Sequence, residues 1–173
     1  SKEPEPFVVE VGAPEITDAP SVDIERQLLI GIVGPETGPQ ARYGEAVYQG
    51  ALLAVQRSND NGGIEGQDIQ LLHYDNEGDA GLTMDIVQYF VGQRAMAIIT
   101  APTGWATFGP THITDDSSTI LISIGSRRRI ARSGDYIFQM SLSDEIATDY
   151  MISYTIREMG FKRFALISVS DYD

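Results

Sequence analysis

The chain has 173 residues, 42% of them apolar, enough for one substantial domain but not for two full ones. Its 25 Asp and Glu against 12 Lys and Arg give a formal charge of −13, which argues against a nucleic-acid partner because phosphate contacts need positive surface. It has no cysteine, which excludes a disulfide scaffold, a thiol nucleophile and a cysteine-ligated metal, and no apolar run reaches the ~18 residues of a membrane helix.

Residues 1–26 carry Pro4, Pro6, Pro14, Pro20 and five glutamates without a sustained period, and read as a flexible leader. The opening residues do not resemble a signal peptide, so an exported form would already have lost one. From Leu28 the pattern becomes regular. Residues 28–33 form an apolar run suited to a buried parallel strand. The loop Gly34-Pro35-Glu36-Thr37-Gly38-Pro39 follows, with Tyr43-Gly44 beyond it. Residues 45–59 predict a helix with Val47, Ala51, Ala54 and Val55 on its apolar face. It ends at Asn61-Gly62-Gly63-Ile64-Glu65-Gly66, where glycines permit a C-cap and turn. A second strand is expected at 68–74, a second helix at 79–93 with Met84, Val87 and Val91 on one face, and a third strand at 95–100. Residues 105–115 predict partial helix, interrupted by Gly109 and Pro110, before a fourth strand at 119–124.

Strands and helices alternating at this spacing predict an α/β fold, a doubly wound parallel sheet. A short extended piece at 136–140 precedes a helix at 144–159, with Ser143 as N-cap and Ile152, Ile156 and Met159 on one side. A further strand is expected at 163–169. The chain stops directly after it, with no crossover helix, and so reads as part of a larger protein.

A glycine- and proline-shaped loop between a strand and a helix is where an open α/β sheet binds its ligand. The spacing of Gly31, Gly34 and Gly38 does not fit a dinucleotide fingerprint, and no Walker lysine is present. The loop's backbone N–H groups suit a carboxylate or another small anion instead. In a parallel sheet the loops after the third and fourth strands lie at the same edge. Thr103 and Ser126 are therefore candidates to meet a bound carboxylate, with Tyr43 and Trp105 as flat apolar walls. The alternative roles are local turn caps for Thr103 and Ser126, a core aromatic anchoring the helix for Tyr43, and a lobe-surface residue that meets another domain for Trp105. Arg127-Arg128-Arg129 can neutralise an acidic ligand, although consecutive side chains cannot all point at one site, and a solvated turn is the simpler role. His73 sits in an apolar strand and reads as structural, while His112 follows Pro110 on the broken helix. No Ser-His-Asp set or Gly-x-Ser-x-Gly elbow is evident. The acidic residues Asp75, Glu77, Asp79, Asp115 and Asp116 lack ordered calcium spacing, so neither metal nor cofactor is expected. Asp75 differs from the other carboxylates: at a strand end it is placed to order a neighbouring loop.

These pieces together resemble the solute-binding proteins of branched-chain amino-acid ABC transporters, the Leu/Ile/Val-binding type with a type I periplasmic-binding fold. The resemblance runs through the first loop with Tyr43-Gly44, Gly50-Ala51, Asn61 to Gly66, Tyr74-Asp75, Leu121-Ile122-Ser123, Tyr136-Ile137-Phe138 and Ala165-Leu166-Ile167 before Asp171. It spans roughly residues 28–173. It implies two three-layer α/β lobes that close on a ligand, with residues 27–138 as lobe 1 and 139–173 as the first helix and strand of a truncated lobe 2. It also implies that small hydroxyl residues and backbone in lobe 1 grip the amino acid's charged groups. Tyr43 matches the family's aromatic near the first loop. Thr103-Gly104-Trp105-Ala106-Thr107 falls on its serine-rich loop, with Trp105 about where a serine is expected. Gly125-Ser126-Arg127 falls on the loop after the fourth strand, where Arg127 would favour an acidic or carboxylate-rich solute.

The resemblance further implies an extracytoplasmic component of an ABC importer, in the periplasm or on the outer face of the cell membrane, soluble or lipid-anchored. Its ligand would be an amino acid or small carboxylate, its macromolecular partner an ABC permease, and it would not be an enzyme. Two other functions fit the same chain less directly: a sensory receptor domain of the same fold, and a hydrolase or transferase on a similar sheet.

Overall fold

The computed structural model describes residues 28–102, 109–125 and 130–167. The leader at 1–26 lies outside the described residues. Five strands, β1 (Leu28–Gly34), β2 (Ile69–Asp75), β3 (Ala97–Thr100), β4 (Ile120–Ser123) and β5 (Ile137–Gln139), form one all-parallel sheet in the order β2-β1-β3-β4-β5. The order reverses between β1 and β3, as in a doubly wound sheet. Four helices accompany it: α1 (Ala41–Asp60), α2 (Ala80–Gly92), α3 (Thr111–Asp116) and α4 (Asp144–Arg157).

Side-chain alternation along the strands separates the layers. On β2, His73 stacks on Tyr48 of α1, with ring centroids 5.1 Å apart, while the next residue, Tyr74, packs edge-on against Tyr89 and Phe90 of α2. Helix α1 therefore lies on one face of the sheet, and α2 with α3 on the other. The main core lies on the α2 side, where Val87, Phe90, Ile98, Leu121, Ile130 and Ile137 are buried together. Gly31 lets β1 meet this core closely, since a Cβ there would stand 2.6 Å from the Phe90 ring.

Several boundaries differ from the expected ones, each for a physical reason. Helix α1 begins four residues earlier than its apolar period, because Ala41 N–H bonds to the Gly38 carbonyl and Tyr43 N–H to that of Gln40. The helix thus grows out of the loop with no side-chain cap to announce it. Val55 is buried but Ala54 is exposed. Helix α2 starts behind the expected Asp79, whose carboxylate caps Leu82 N–H at 2.7 Å. Its buried face is Thr83, Ile86, Val87 and Phe90, offset from the expected Met84, Val87 and Val91, which are half-buried apart from Val87. Phe90 draws that face round, because the largest ring takes the deepest place. Asn59, near the end of α1, exchanges two hydrogen bonds with the backbone of Ile69 at 2.9 and 2.8 Å, and so sets where β2 begins.

Helix α4 forms where expected, with Ser143 Oγ accepting from Ile146 N–H, but none of its residues is buried. The strand expected at 163–169 is not formed over the described residues 161–167. A parallel strand needs a ladder partner, and Leu166 and Ile167 stand almost fully exposed with no strand beside them among the described residues.

Gly44 is the closest approach between α1 and the loop before it: a Cβ there would overlap the Pro35 carbonyl oxygen. Gly44→Ala is expected to lower stability by about 2 kcal/mol through overpacking. Gly50→Ala, on the same helix with nothing near its added methyl, is expected to raise stability by about 0.5–1 kcal/mol. Urea unfolding of both variants checks the contrast; equal shifts would contradict it.

Candidate functional site

The C-terminal edge of the sheet gathers four segments: the loop 35–40 after β1, Ala101-Pro102 after β3, Ile124-Gly125 after β4 and residues 139–141 at the end of β5. The switch point between β1 and β3 places the first two side by side. An open α/β sheet presents its ligand crevice at this position.

The loop after β1 is held by two residues of β2 that share one strand face. Asp75 Oδ1 accepts from the backbone N–H groups of Glu36 and Glu77, both at 2.8 Å, and Oδ2 accepts from the Thr37 hydroxyl at 2.7 Å. His73 Nδ1 lies 2.8 Å from Glu36 Oε1, and its Nε2 lies 3.3 Å from the Gly34 carbonyl oxygen. Partial burial raises the Asp75 carboxyl. The Thr37 hydroxyl and the backbone N–H groups of Glu77, Glu36 and Thr37 outweigh it, and hold the group below its ordinary value.

The loop-ordering role expected of Asp75 is thus what the structure shows. The N–H groups expected to receive a ligand anion are partly taken: that of Glu36 binds the protein's own carboxylate. The neighbouring Asn76 is buried. It donates to Thr83 Oγ1 at 2.8 Å and accepts from Gly78 N–H at 3.1 Å, so adjacent residues order the turns on the two sides of β2.

Tyr43 stands at the same edge, 39% exposed. The Arg42 guanidinium lies 4.7 Å from its ring centroid and donates to its hydroxyl at 2.7 Å. The Tyr43 ring, with Val47, Pro102, Ile124 and Met140, lines an apolar groove of about 540 Å³ between α1 and the exposed flank of β3 and β4. Polar recognition at this edge must therefore come from the loops above the groove.

Gly125 is buried, with both backbone groups engaged. Its N–H donates to Ser123 Oγ at 3.1 Å, and its carbonyl accepts from Gln139 Nε2 at 2.9 Å and Ser141 Oγ at 2.5 Å. Thr103, Gly104, Trp105, Ser126 and Arg127 lie outside the described residues, as do Arg128 and Arg129. Thr100, buried at the end of β3, carries a hydroxyl with no hydrogen-bond partner among the described residues. Sequence reasoning passed over Arg42, Gln139 and Ser141. Adjacency to Tyr43 was the available signal for Arg42. The other two act across the sheet, 14 and 16 residues from Gly125, with no local motif. Among the described residues, no group of three or more His, Asp and Glu side chains is placed to hold a metal, and no helix is long and apolar enough to cross a membrane.

Residues 27–173 match the sequence profile of the periplasmic binding protein family. An amino acid binding protein of Pseudomonas aeruginosa is 28% identical over 133 residues, covering 73% of this chain and 36% of that protein. Leu/Ile/Val-binding protein homolog 3 of Brucella melitensis is 24% identical over 142 residues, covering 81% and 39%. The crystal structure of the branched-chain amino acid transporter substrate binding protein LivJ from Streptococcus pneumoniae, in complex with isoleucine, superposes with a TM-score of 0.70 at 26% identity, covering 78% of this chain and 39% of that one. The chain spans well under half the length of the curated relatives it matches.

The Asp75 network makes a pH prediction. Its folded pKa is depressed, so its contribution is complete above the unfolded carboxylate value of about 4 and is lost as pH falls through the lower folded value. The protection factors of the Glu36 and Glu77 amides, relative to intrinsic exchange at the same pH, are expected to fall on acidification below pH about 4. Asp75→Asn should remove that step and lower neutral-pH stability by about 1 kcal/mol, since an amide nitrogen cannot accept from Thr37. An unchanged acid step in the variant would contradict this.

Proposed function

The chain belongs to the periplasmic binding protein family, and on that premise we propose that it is the ligand-binding part of an extracytoplasmic solute-binding component of an ABC importer. It captures an amino acid or a related small carboxylate. The observation that carries this reading is the pinned loop and Tyr43 at the β1/β3 switch point, on a sheet edge that needs no catalytic group to hold a small molecule. The relatives named for amino acids and the isoleucine-bound structural neighbour support the ligand class.

In mechanism, the ligand first settles on the edge formed by residues 27–138. The Tyr43 and Trp105 rings supply flat walls, and the loops after β3 and β4, with Thr103, Gly104, Ser126 and Arg127, supply polar contacts. Residues from 139 onward begin the second lobe, which closes over the ligand, and the closed form docks on a permease outside the cytoplasm. Binding energy goes into shifting the open–closed equilibrium, and no covalent step is involved. Arg42 beside Tyr43 and Arg127 after β4 place positive charge on an otherwise acidic protein, and so favour a solute with an exposed carboxylate.

Isothermal titration of the ligand-stripped full-length protein with L-isoleucine, L-leucine, L-glutamate and 4-hydroxybenzoate tests this. Saturable binding of at least one is expected, weakened about tenfold or more by Tyr43→Ala through loss of the stacked wall. A folded protein that binds none of the four contradicts the amino-acid and small-carboxylate reading.

A further inference from the structure

Residues 139–143 connect the sheet to α4, and no side chain of α4 is buried. Motion of α4 therefore reaches the sheet through this short segment. Three hydrogen bonds tie the segment to the end of β4 and to Gly125 just beyond it. Met140 N–H donates to the Ser123 carbonyl at 2.9 Å, continuing the strand ladder. Gln139 Nε2 and Ser141 Oγ both donate to the Gly125 carbonyl, at 2.9 and 2.5 Å. A carbonyl oxygen has two lone pairs, and here both are met by side chains of the departing segment. Ladder continuation needs neither of them.

We propose that Gln139 and Ser141 are positioning residues that clamp the Gly125 carbonyl and so couple the departing segment to the sheet edge after β4, where the ligand is proposed to sit. The inference rests on the binding function proposed above. Gly125 is the last described residue after β4, with its N–H already tied to Ser123. A shift of the 139–143 segment moves the donors, and the Gly125 peptide must follow or lose two bonds at a buried oxygen. Ligand contact at that edge and movement of α4 thereby bias one another, as linkage requires of any two coupled sites.

The test uses the full-length protein in three forms: wild type, Gln139→Ala/Ser141→Ala, and Ser141→Thr, which keeps a hydroxyl donor. Amide exchange without ligand is expected to accelerate about tenfold at Ile124 and Gly125 in the double variant, with Ser141→Thr close to wild type and the α2-side core unchanged. Unchanged exchange at these two amides, or equal acceleration throughout the sheet, overturns the clamp. Titration with L-isoleucine, L-leucine, L-glutamate and 4-hydroxybenzoate is expected to show about tenfold weaker binding in the double variant, restored in Ser141→Thr. Equal affinity in wild type and double variant overturns the coupling to ligand. A wild type that binds none of the four counts against the proposed function, while the exchange measurement still decides the clamp.

Discussion

One carboxylate organises the edge on which the rest of this structure depends. Asp75 ends β2 and takes three hydrogen bonds there, two of them from the loop that joins β1 to α1. Without them the loop would have to satisfy its own N–H groups, and α1 would have no fixed starting point. With them, the first helical turn follows directly from Gly38 and Gln40, and Tyr43 stands at the sheet edge on a helix that cannot rotate. His73, two residues earlier on the same face, braces Glu36 and is itself sandwiched by Tyr48. The rigidity is local and electrostatic, and it stands over an apolar groove that supplies little polar recognition of its own.

The other face of the sheet does a different task. Phe90, Ile98, Leu121 and Ile137 make the packed core, and Gly31 lets β1 approach it without a side chain. Burial of these residues holds the strands in register. The edge loops can then vary without loss of the fold. The α1 face is only partly covered: α1 packs over β1 and β2, while Ile99 and Ile122 of β3 and β4 line an open groove. The asymmetry between a closed core and an open flank is the main difference between this chain and a self-contained three-layer domain.

Most of the fold was legible in the residues. Apolar runs of strand length alternating with helical periods led to a parallel doubly wound sheet, and the caps at Asp79 and Ser143 are readable as capping residues. The misread features share a cause: they depend on contacts distant in sequence. The start of α1 is set by a loop pinned from β2, 38 and 39 residues away. The buried face of α2 is set by where Phe90 finds room. Residues 161–167 have strand composition but no strand to pair with among the described residues. At the sheet edge, the loop-ordering role of Asp75 was readable from its position at a strand end, and the placement of Tyr43 at that edge from its position beside a loop. The clamp on Gly125 was not, because glutamine and serine at the end of a short strand carry no signature until the sheet brings them to the carbonyl they hold.

The central claim is that the ligand site is preformed at the C-terminal edge of β1, β3 and β4, with the Asp75-held loop as its fixed wall. Crystal structures of the full-length protein with and without bound ligand test it most directly. The account predicts a ligand seated on that edge in contact with Tyr43, and a loop at 35–40 that superposes in the two states with the Asp75 hydrogen bonds intact. A ligand bound elsewhere, or a loop that releases Asp75 to receive it, would contradict the account.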